Sequence, residues 1–256
     1  MLMEKCLSLQ RKLLARLLEY RDGQGVWRGR LSSSPLATGL ALLALRIAGD
    51  PADRSRCEQA VNWLAVMQRD GGWGDTTSDR PNVTATLLIT AALAGQGDAF
   101  RLELPALAAE LCTASRRWLQ HQIGGLDFER IMAYLKQTYG DDLTFAAPIA
   151  MVWALSRESE DPDCWKYVPA LPCELVFVPR SWYQSVRLAV VSYALPALIA
   201  AGYLISQRKG GVRYTFLSRL RSALFRRLER LQPANGGFLE ATPLTAFVVM
   251  ALAAAG

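Results

Sequence analysis

The chain has 256 residues, 51% of them hydrophobic, a formal net charge of +6 and a pI of about 9.2. This length suits one large domain or two small ones with a sizeable core, and the excess of positive charge favours anionic partners. Nucleic acid is not expected among them, because the sequence has no zinc-finger spacing, no RNP-like aromatic string and no arginine-rich tail. The five cysteines are scattered without a C-x-x-C pair, which favours reduced thiols in a cytoplasmic compartment over a disulfide framework or a zinc knuckle.

One unit recurs along the chain. It consists of an amphipathic helix, a turn that contains glycine and an aromatic residue, a polar link, and a second, more apolar helix. The apolar helices of the first two copies are predicted over residues 37–48 and 85–94. Their turn residues are Gln24 and Trp27 in the first copy and Gln68, Gly71, Gly72 and Trp73 in the second.

Two further copies follow. The third is degenerate: residues 115–127 form the first helix and turn, Leu126 takes the aromatic position, and residues 128–137 form the second helix. The last copy has an apolar helix over residues 244–255, and its turn residues are Gln232, Gly236, Gly237 and Phe238. A repeat of about 50 residues predicts stacked units, none of which buries its apolar face alone.

These patterns predict an all-α fold of about ten helices. The nearly uncharged helices would form an inner layer and the amphipathic ones an outer layer, which together make an α/α barrel, or toroid, over residues 1–256. The inner stretches are residues 38–45, 84–93, 143–155 and 244–255. The glycine pairs of the turns are expected at helix ends, and Ser34 and Thr242 are expected to cap the helices that begin with Pro35 and Pro243. The turn aromatics would pack their rings between helices, and the Gln68 amide would bond to free N–H groups at a neighbouring helix start.

Two segments bear on membrane insertion. The N-terminus contains Glu4 and Lys5 and has no long apolar run, so it is not a signal peptide. Residues 188–205 form an uncharged run of 18 residues that just reaches the length of a membrane span. Because this run contains Pro196, Ser192 and two tyrosines, a helix buried on all sides is the better interpretation.

The pattern Q-x-D-G-G-W-G at the end of an outer helix, repeated at this period, resembles the QW motif of squalene-hopene and oxidosqualene cyclases. A second block, residues 165–202, is similar to the cyclase segment with a V-P-x-x-P-x-E-[IL] core followed by a helix rich in valine and alanine. Its core residues here are Val168, Pro169, Pro172, Glu174 and Leu175. Together with the opening repeats, the resemblance covers most of the chain.

The resemblance implies that this chain is the N-terminal barrel of an enzyme with two α/α barrels. Such an enzyme acts on a linear isoprenoid such as squalene in triterpenoid or hopanoid biosynthesis. Such enzymes need no metal or cofactor, because a carboxylic acid in a D-x-D-D motif of the second barrel starts the reaction. That motif is absent here, so the chain would be the barrel without the acid, and it would pair with a second barrel. Where the family has a tunnel tryptophan this chain has Ser185, and Trp182, Tyr183 and Glu174 are the nearest tunnel candidates.

The residues themselves offer few acids that would start cyclisation. Asp141 and Asp142 are the only adjacent aspartates, but a pair directly before an apolar helix is more typical of a solvated N-cap. Asp161 and Asp163 lie in a polar loop and are expected to be exposed. Glu174, among prolines and apolar residues, is expected to form a structural hydrogen bond to the backbone.

Two further hypotheses concern metal and membrane. A prenyltransferase β-like subunit would bind zinc, but the sole histidine, His121, has no Cys or Asp at ligand spacing. The segment 208–230 holds eight Lys/Arg beside one Glu, with leucines 217, 220, 224, 228 and 231 in one stripe. An outer helix with one face in solvent would explain this pattern. The more specific alternative is that Arg219, Arg226 and Arg227 contact anionic headgroups, which would make the chain a peripheral membrane protein. A non-catalytic helical-repeat binding module remains the alternative to a cyclase barrel.

Overall fold

The computed structural model describes residues 2–27, 32–95, 103–140, 143–177, 195–238 and 241–256. Within these ranges the chain is helical and contains no β-strand, which confirms the predicted all-α class. The residue contacts divide the chain into two units, residues 1–33 and 34–256. A single barrel over residues 1–256 stays a prediction.

The α-helices of the described ranges are α1 (Leu2–Glu19), α2 (Pro35–Ala48), α3 (Arg54–Met67), α4 (Val83–Ala94), α5 (Ala106–Ile123), α6 (Phe128–Tyr139), α7 (Leu143–Arg157), α8 (Leu195–Lys209), α9 (Gly211–Leu231) and α10 (Thr242–Ala255). Short 3-10 helices span Pro51–Asp53, Pro162–Tyr167 and Cys173–Phe177.

The first unit contains α1 and the turn that follows it, residues 20–27, called the first turn below. A backbone bridge between Arg21 and Trp27 closes this turn. The Asp22 carboxylate accepts hydrogen bonds from the backbone N–H groups of Gln24 and Val26 at 2.9 and 3.1 Å. The turn is therefore held by local bonds that its own sequence supplies.

In the second unit, five helices with few charges supply most of the core: α2, α4, α7, α8 and α10. Residues 85–93 of α4 and 146–156 of α7 are buried without interruption. A helix that is apolar on all sides must be covered on all sides, so these segments lie inside the unit. On α8, residues 196–206 are all buried except Leu198, which confirms the prediction of a buried helix for the described part of the uncharged run.

The charged helices α3, α5, α6 and α9 each bury one stripe. On α6 the buried residues are Phe128, Ile131 and Leu135, and the remainder of the helix is half-buried or exposed. Residues 128–137 were predicted as the helix that follows the third turn, and they lie in α6, which buries only one stripe. The stretch 143–155, predicted for the inner layer, lies in α7 and is buried from residue 146 onward. The apolar helix after that turn is α7, and α6 packs on α7.

The helix contacts of the second unit follow a closed order. Helix α2 contacts α4, α4 contacts α7, α7 contacts α8, α8 contacts α10, and α10 contacts α2. Among the charged helices, α3 packs on α2, α5 on α4, α6 on α7 and α9 on α8. This is the order of neighbours that a two-layered toroid requires, and the toroid itself stays a prediction.

The helix ends confirm part of the capping prediction. The Ser34 hydroxyl accepts a hydrogen bond from the Ala37 N–H at 3.1 Å and caps α2. Thr242 was predicted to be a cap but is the first helical residue of α10, whose N-cap, Ala241, has no side-chain oxygen. Of the glycine pairs, only Gly124 directly caps a helix; the other two pairs follow the helix ends, within turns.

No helix in the described ranges combines the length and the apolar character that a membrane span needs. Residues 188–194, the start of the uncharged run, lie outside those ranges.

Candidate functional site

The turn between α3 and α4, residues 68–75, is called the second turn. Its tip is a two-residue hairpin, in which Arg69 and Gly72 exchange backbone hydrogen bonds of 3.0 and 2.8 Å. The two central residues, Asp70 and Gly71, have φ of 51° and 89°. Two successive positive φ values define a type I′ turn, and aspartate is among the few side chains that tolerate this region.

Trp73 follows that hairpin and is completely buried. Its indole N–H donates to the Leu64 carbonyl of α3 at 2.8 Å. Its backbone N–H donates to the Thr86 hydroxyl of α4 at 3.0 Å, and that hydroxyl donates back to the Trp73 carbonyl at 3.2 Å. Trp73 therefore joins α3 to α4 through its ring and its backbone, as the sequence analysis predicted for the ring.

Gln68 extends this connection to α5. Its side-chain N–H donates to the Leu111 carbonyl at 3.2 Å and to the Gly71 carbonyl at 3.4 Å. The sequence predicted that this amide would meet free N–H groups at a helix start. That prediction was wrong, because the amide is the donor and its partner is a carbonyl inside α5, whose oxygen has a second lone pair besides the one used in the helix. Gly72 is required at its position, since a Cβ there would lie 2.9 Å from both Pro81 Cβ and Thr86 Oγ1.

The turn between α9 and α10, residues 232–238, is called the last turn and repeats these parts. The Gln232 amide donates to the Gly236 carbonyl at 2.7 Å, and Phe238 is buried. The Phe238 backbone N–H donates to the Thr245 hydroxyl at 2.9 Å. Thr245 is the fourth residue of α10, as Thr86 is of α4, so the two turns use the same helix position.

The first turn uses the parts differently. The Trp27 indole N–H donates to the Leu17 carbonyl of α1 at 2.6 Å, as Trp73 does to Leu64. The Trp27 ring is nevertheless 49% exposed, in contrast to the buried staple that was predicted. The Arg21 side chain, not Gln24, donates to the glycine carbonyl of this turn, that of Gly25, at 2.8 Å.

Buried hydroxyl groups continue the contact between α4 and α5. The Thr90 hydroxyl donates to the Ser115 hydroxyl oxygen at 2.8 Å and also lies 2.6 Å from the Thr86 carbonyl oxygen. Ser115 in turn donates to the Cys112 carbonyl at 3.1 Å. All these side chains are buried. Satisfied polar groups of this kind fix one arrangement of two otherwise apolar helices.

Glu174 forms an ion pair with Arg213 of α9, with 2.8 Å between Oε2 and a guanidinium nitrogen. Arg213 also donates to the Leu171 carbonyl. Burial alone would raise the pKa of Glu174, but the hydrogen bonds from Arg213 and from the backbone, together with the positive charge of Arg213, outweigh burial and lower that pKa below its ordinary value. Glu174 is therefore ionised at neutral pH and joins its 3-10 helix, Cys173–Phe177, to α9. An ionised carboxylate has no proton to donate, so Glu174 does not suit the role of the acid.

The other acid candidates contribute no donor in the described ranges. Asp161 and Asp163 are exposed, as predicted, and Asp161 caps the 3-10 helix that contains Asp163. Asp141 and Asp142 lie outside the described residues, as do the tunnel candidates Trp182, Tyr183 and Ser185.

His121 is exposed near the end of α5. Across the described ranges, no group of three or more His, Cys, Asp or Glu side chains is placed to hold a metal ion.

The basic segment forms helix α9. Leu217, Leu224 and Leu228 are buried, and Leu220 and Leu231 are half-buried, which confirms the predicted stripe. On the other side, Arg219 and Arg226 are exposed. Arg227 is half-buried, and its Nε has no hydrogen-bond partner among the described residues. Of the three arginines predicted to face an anionic surface, Arg219 and Arg226 are therefore accessible and Arg227 is only partly so.

Comparisons of the chain with protein-family models, with curated proteins and with solved structures find no match. The kinship with cyclases accordingly stays a prediction from the motifs.

Three polar residues that organise the second unit were not found by sequence reasoning. The only sequence signal for Thr86 and Thr245 is that each is the fourth residue of an apolar helix that follows a glycine turn. Arg46 is the one charged residue of α2, and its buried guanidinium donates to the carbonyls of Ala92 and Gly95 at the end of α4. Burial lowers the pKa of Arg46 to about 10. Nothing local in the sequence identifies the partner of a single charge on an apolar helix.

Proposed function

We propose that this chain is a squalene cyclase-like protein of triterpenoid or hopanoid biosynthesis and forms the barrel that does not carry the proton-donating acid. Its ligand would be a linear isoprenoid such as squalene, held within an apolar helical scaffold and handed to, or shared with, an acid-bearing barrel.

The observation that carries the proposal is the repeated construction of the second and last turns. In each turn, a glutamine amide donates to a glycine carbonyl, and a buried aromatic residue follows. The backbone N–H of that aromatic residue donates to a threonine hydroxyl of the next helix. The QW motif that this pattern resembles has the same order of glutamine, glycines and aromatic ring. The closed order of contacts among the apolar helices also supports the proposal, because an isoprenoid cavity needs uncharged walls.

Chemically, this part of the chain would bind and orient the hydrocarbon and keep water away from it. It would not start the reaction, because Glu174 is ionised and Asp161 and Asp163 are exposed. After the proton has been delivered, a carbocation needs a dry and preorganised cavity, and both barrels of a cyclase would contribute walls to that cavity.

The test uses the purified chain with deuterated squalene. We expect retention of squalene through gel filtration, displacement by excess unlabelled squalene, and no cyclic product by gas chromatography and mass spectrometry. Adding an acid-bearing barrel, expressed from the same genomic locus, should give a cyclic product. Failure to retain squalene would overturn the proposal, and cyclisation by the chain alone would overturn the assignment of the acid to another barrel.

A helical-repeat binding module without any enzymatic partner is the second candidate. The ionised state of Glu174 and the polar bonding of the turns fit that function equally well. A reading frame that continues into a second barrel with a D-x-D-D motif would decide against the module. Tight zinc binding measured by metal analysis would instead favour a prenyltransferase β-like subunit, and we expect none.

The exposed arginines of α9 support a peripheral association with anionic membrane surfaces as part of the same proposal. An oily substrate resides in the bilayer, so a protein that takes it up gains from lying at that surface.

A further inference from the structure

A surface cavity of about 680 Å³ lies beside the second turn. Its lining residues are Arg69, Asp70, Arg80, Pro81, Trp118 and Gln122. Nothing in the proposed handling of an isoprenoid uses this cavity, which combines two guanidinium groups with an indole ring.

The walls of the cavity are held by bonds and packing that no ligand is needed to form. Arg69 belongs to the type I′ hairpin, where its backbone is bonded twice to Gly72. Trp118 of α5 packs on the two glycines: a Cβ on Gly71 would lie 3.3 Å from Trp118 Cβ, and one on Gly72 would lie 3.2 Å from its ring. Pro81 is stiff by its own chemistry. The Arg69 backbone, Pro81 and the Trp118 ring are therefore in place before a ligand binds, which lowers the entropy cost for this part of the site.

The two arginines have no ion-pair or hydrogen-bond partner for their side chains among the described residues. The neighbouring acids are engaged locally: Asp79 accepts from the Thr76 N–H at 2.9 Å, and Asp75 accepts from the Asn82 amide at 3.2 Å. Asp70 is the only carboxylate in the lining, so two positive charges face one negative charge.

Guanidinium groups bind phosphate oxygens through paired, charge-assisted hydrogen bonds, and an indole ring offers a flat surface to the adjoining apolar or aromatic part of a ligand. We propose that the cavity formed by Arg69, Arg80 and Trp118 binds a phosphate-bearing ligand, with the phosphate at the two arginines and the rest of the ligand against Trp118. This inference does not depend on the proposed function.

The first experiment titrates the purified chain with inorganic pyrophosphate by isothermal titration calorimetry. We expect one saturable site in the wild type and affinity weaker by about tenfold or more in R69Q/R80Q, since each lost charge-assisted bond has a large effect. The matched control is R54Q/R117Q, which removes two exposed arginines outside the cavity. Far-UV circular dichroism and the melting temperature identify any variant that fails to fold.

Two further variants separate the cavity from general charge. D70N removes the only acid of the lining and is tolerated at positive φ, so it should tighten pyrophosphate binding. W118F keeps the packing on the glycines while it reduces the indole surface. It should weaken a phosphate ester with an aromatic group, such as phenyl phosphate, more than it weakens pyrophosphate.

A second arm uses vesicles of phosphatidylcholine with phosphatidic acid and the same variants. Pyrophosphate binding lost in R69Q/R80Q assigns the cavity to a soluble phosphate ligand, and vesicle binding alone lost in that variant assigns it to a lipid headgroup. Equal behaviour of R69Q/R80Q and R54Q/R117Q in both arms, or no binding in either, would overturn the proposal.

Discussion

The Thr86 hydroxyl bonds to both backbone groups of Trp73: it accepts from the N–H at 3.0 Å and donates to the carbonyl at 3.2 Å. One buried side-chain oxygen thereby satisfies two backbone groups at a position where the chain has left one helix and not yet entered the next. Backbone groups without a partner in such a place would cost about as much as lost hydrogen bonds.

The Thr86→Val variant tests this relationship. Valine has nearly the same shape but no hydroxyl, so the buried Trp73 N–H loses its partner, whereas the Trp73 carbonyl keeps the bond from the Asn82 N–H at 3.0 Å. We expect a loss of about 1–3 kcal/mol in the free energy of unfolding. Thr86→Ser keeps the hydroxyl and should be clearly less destabilising. Urea denaturation followed by circular dichroism measures both, and equal losses for the two variants would contradict a role for the hydroxyl.

The Trp73→Phe variant tests the indole bond to Leu64. Phenylalanine keeps the buried ring but leaves the Leu64 carbonyl without the indole donor, and it fills less volume, so a loss of about 1–3 kcal/mol is expected. Trp27→Phe is the matched control, because the Trp27 ring is half exposed and water replaces its lost bond. We expect a change of a few tenths of a kcal/mol there. A larger loss at Trp27 than at Trp73 would show that the first turn matters more than its exposure indicates.

Gly72 and Gly237 hold equivalent places before the turn aromatics but differ in their surroundings. A Cβ on Gly72 would meet Pro81 and Thr86 at 2.9 Å, whereas one on Gly237 would come no closer than 3.7 Å to the nearest atom. Gly72→Ala should therefore destabilise by about 1–3 kcal/mol through overpacking, and Gly237→Ala should be nearly neutral. Thermal unfolding of the two variants provides the comparison. Tolerance at Gly72 would mean that Pro81 and Thr86 move aside easily.

Glu174 makes stability depend on acidity. Its pKa is lower in the folded chain than the ordinary value of 4.5, so the folded state binds fewer protons. The stabilisation is complete above pH 4.5 and is lost as pH falls through the lower folded pKa. Because the pair is about one-third exposed, its contribution is about 1 kcal/mol or less.

Glu174→Gln should remove that contribution at pH 7 and make the loss of stability between pH 7 and pH 3 smaller than in the wild type, as judged by urea midpoints. Glu129→Gln, on the exposed side of α6, is the control and should leave the wild-type pH dependence intact. A pH dependence unaffected by Glu174→Gln would contradict the lowered pKa.

Membrane association is best tested with Arg219→Glu/Arg226→Glu, since both side chains are exposed and Arg227 is half-buried. We expect loss of co-sedimentation with vesicles that contain acidic phospholipids, and wild-type binding that weakens as salt is added. Arg54→Glu/Arg117→Glu makes the same change of charge elsewhere in the second unit. If both variants lose binding equally, only the net charge is responsible and the α9 surface is not a membrane contact.

Periodicity and turn residues were enough to predict helices, because both are local properties of the chain. The uncharged stretches now in α2, α4, α7 and α10 could hardly be exposed to water, so their burial followed from composition alone. The structure also confirms the Ser34 cap, which is local because a cap bonds three residues ahead, and the buried ring of Trp73. Trp27 follows a similar turn and is half exposed, so burial of the ring also depends on what packs over it.

Local sequence patterns do not identify hydrogen-bond partners that are far apart along the chain. The bonds from Gln68 to Leu111, from Arg46 to Ala92 and from Glu174 to Arg213 each depend on which helices become neighbours. The third repeat shows the same limit: residues 128–137 follow its turn, yet α6 is covered on one side only, and the buried helix is α7, over the uncharged stretch 143–155. The sequence by itself determined that this chain is helical and which helices of the second unit are too apolar to face water, because propensity and hydrophobicity act residue by residue. The tertiary structure alone decided which polar groups satisfy one another, because a hydrogen bond needs two groups within about 3 Å, and only packing brings distant residues that close.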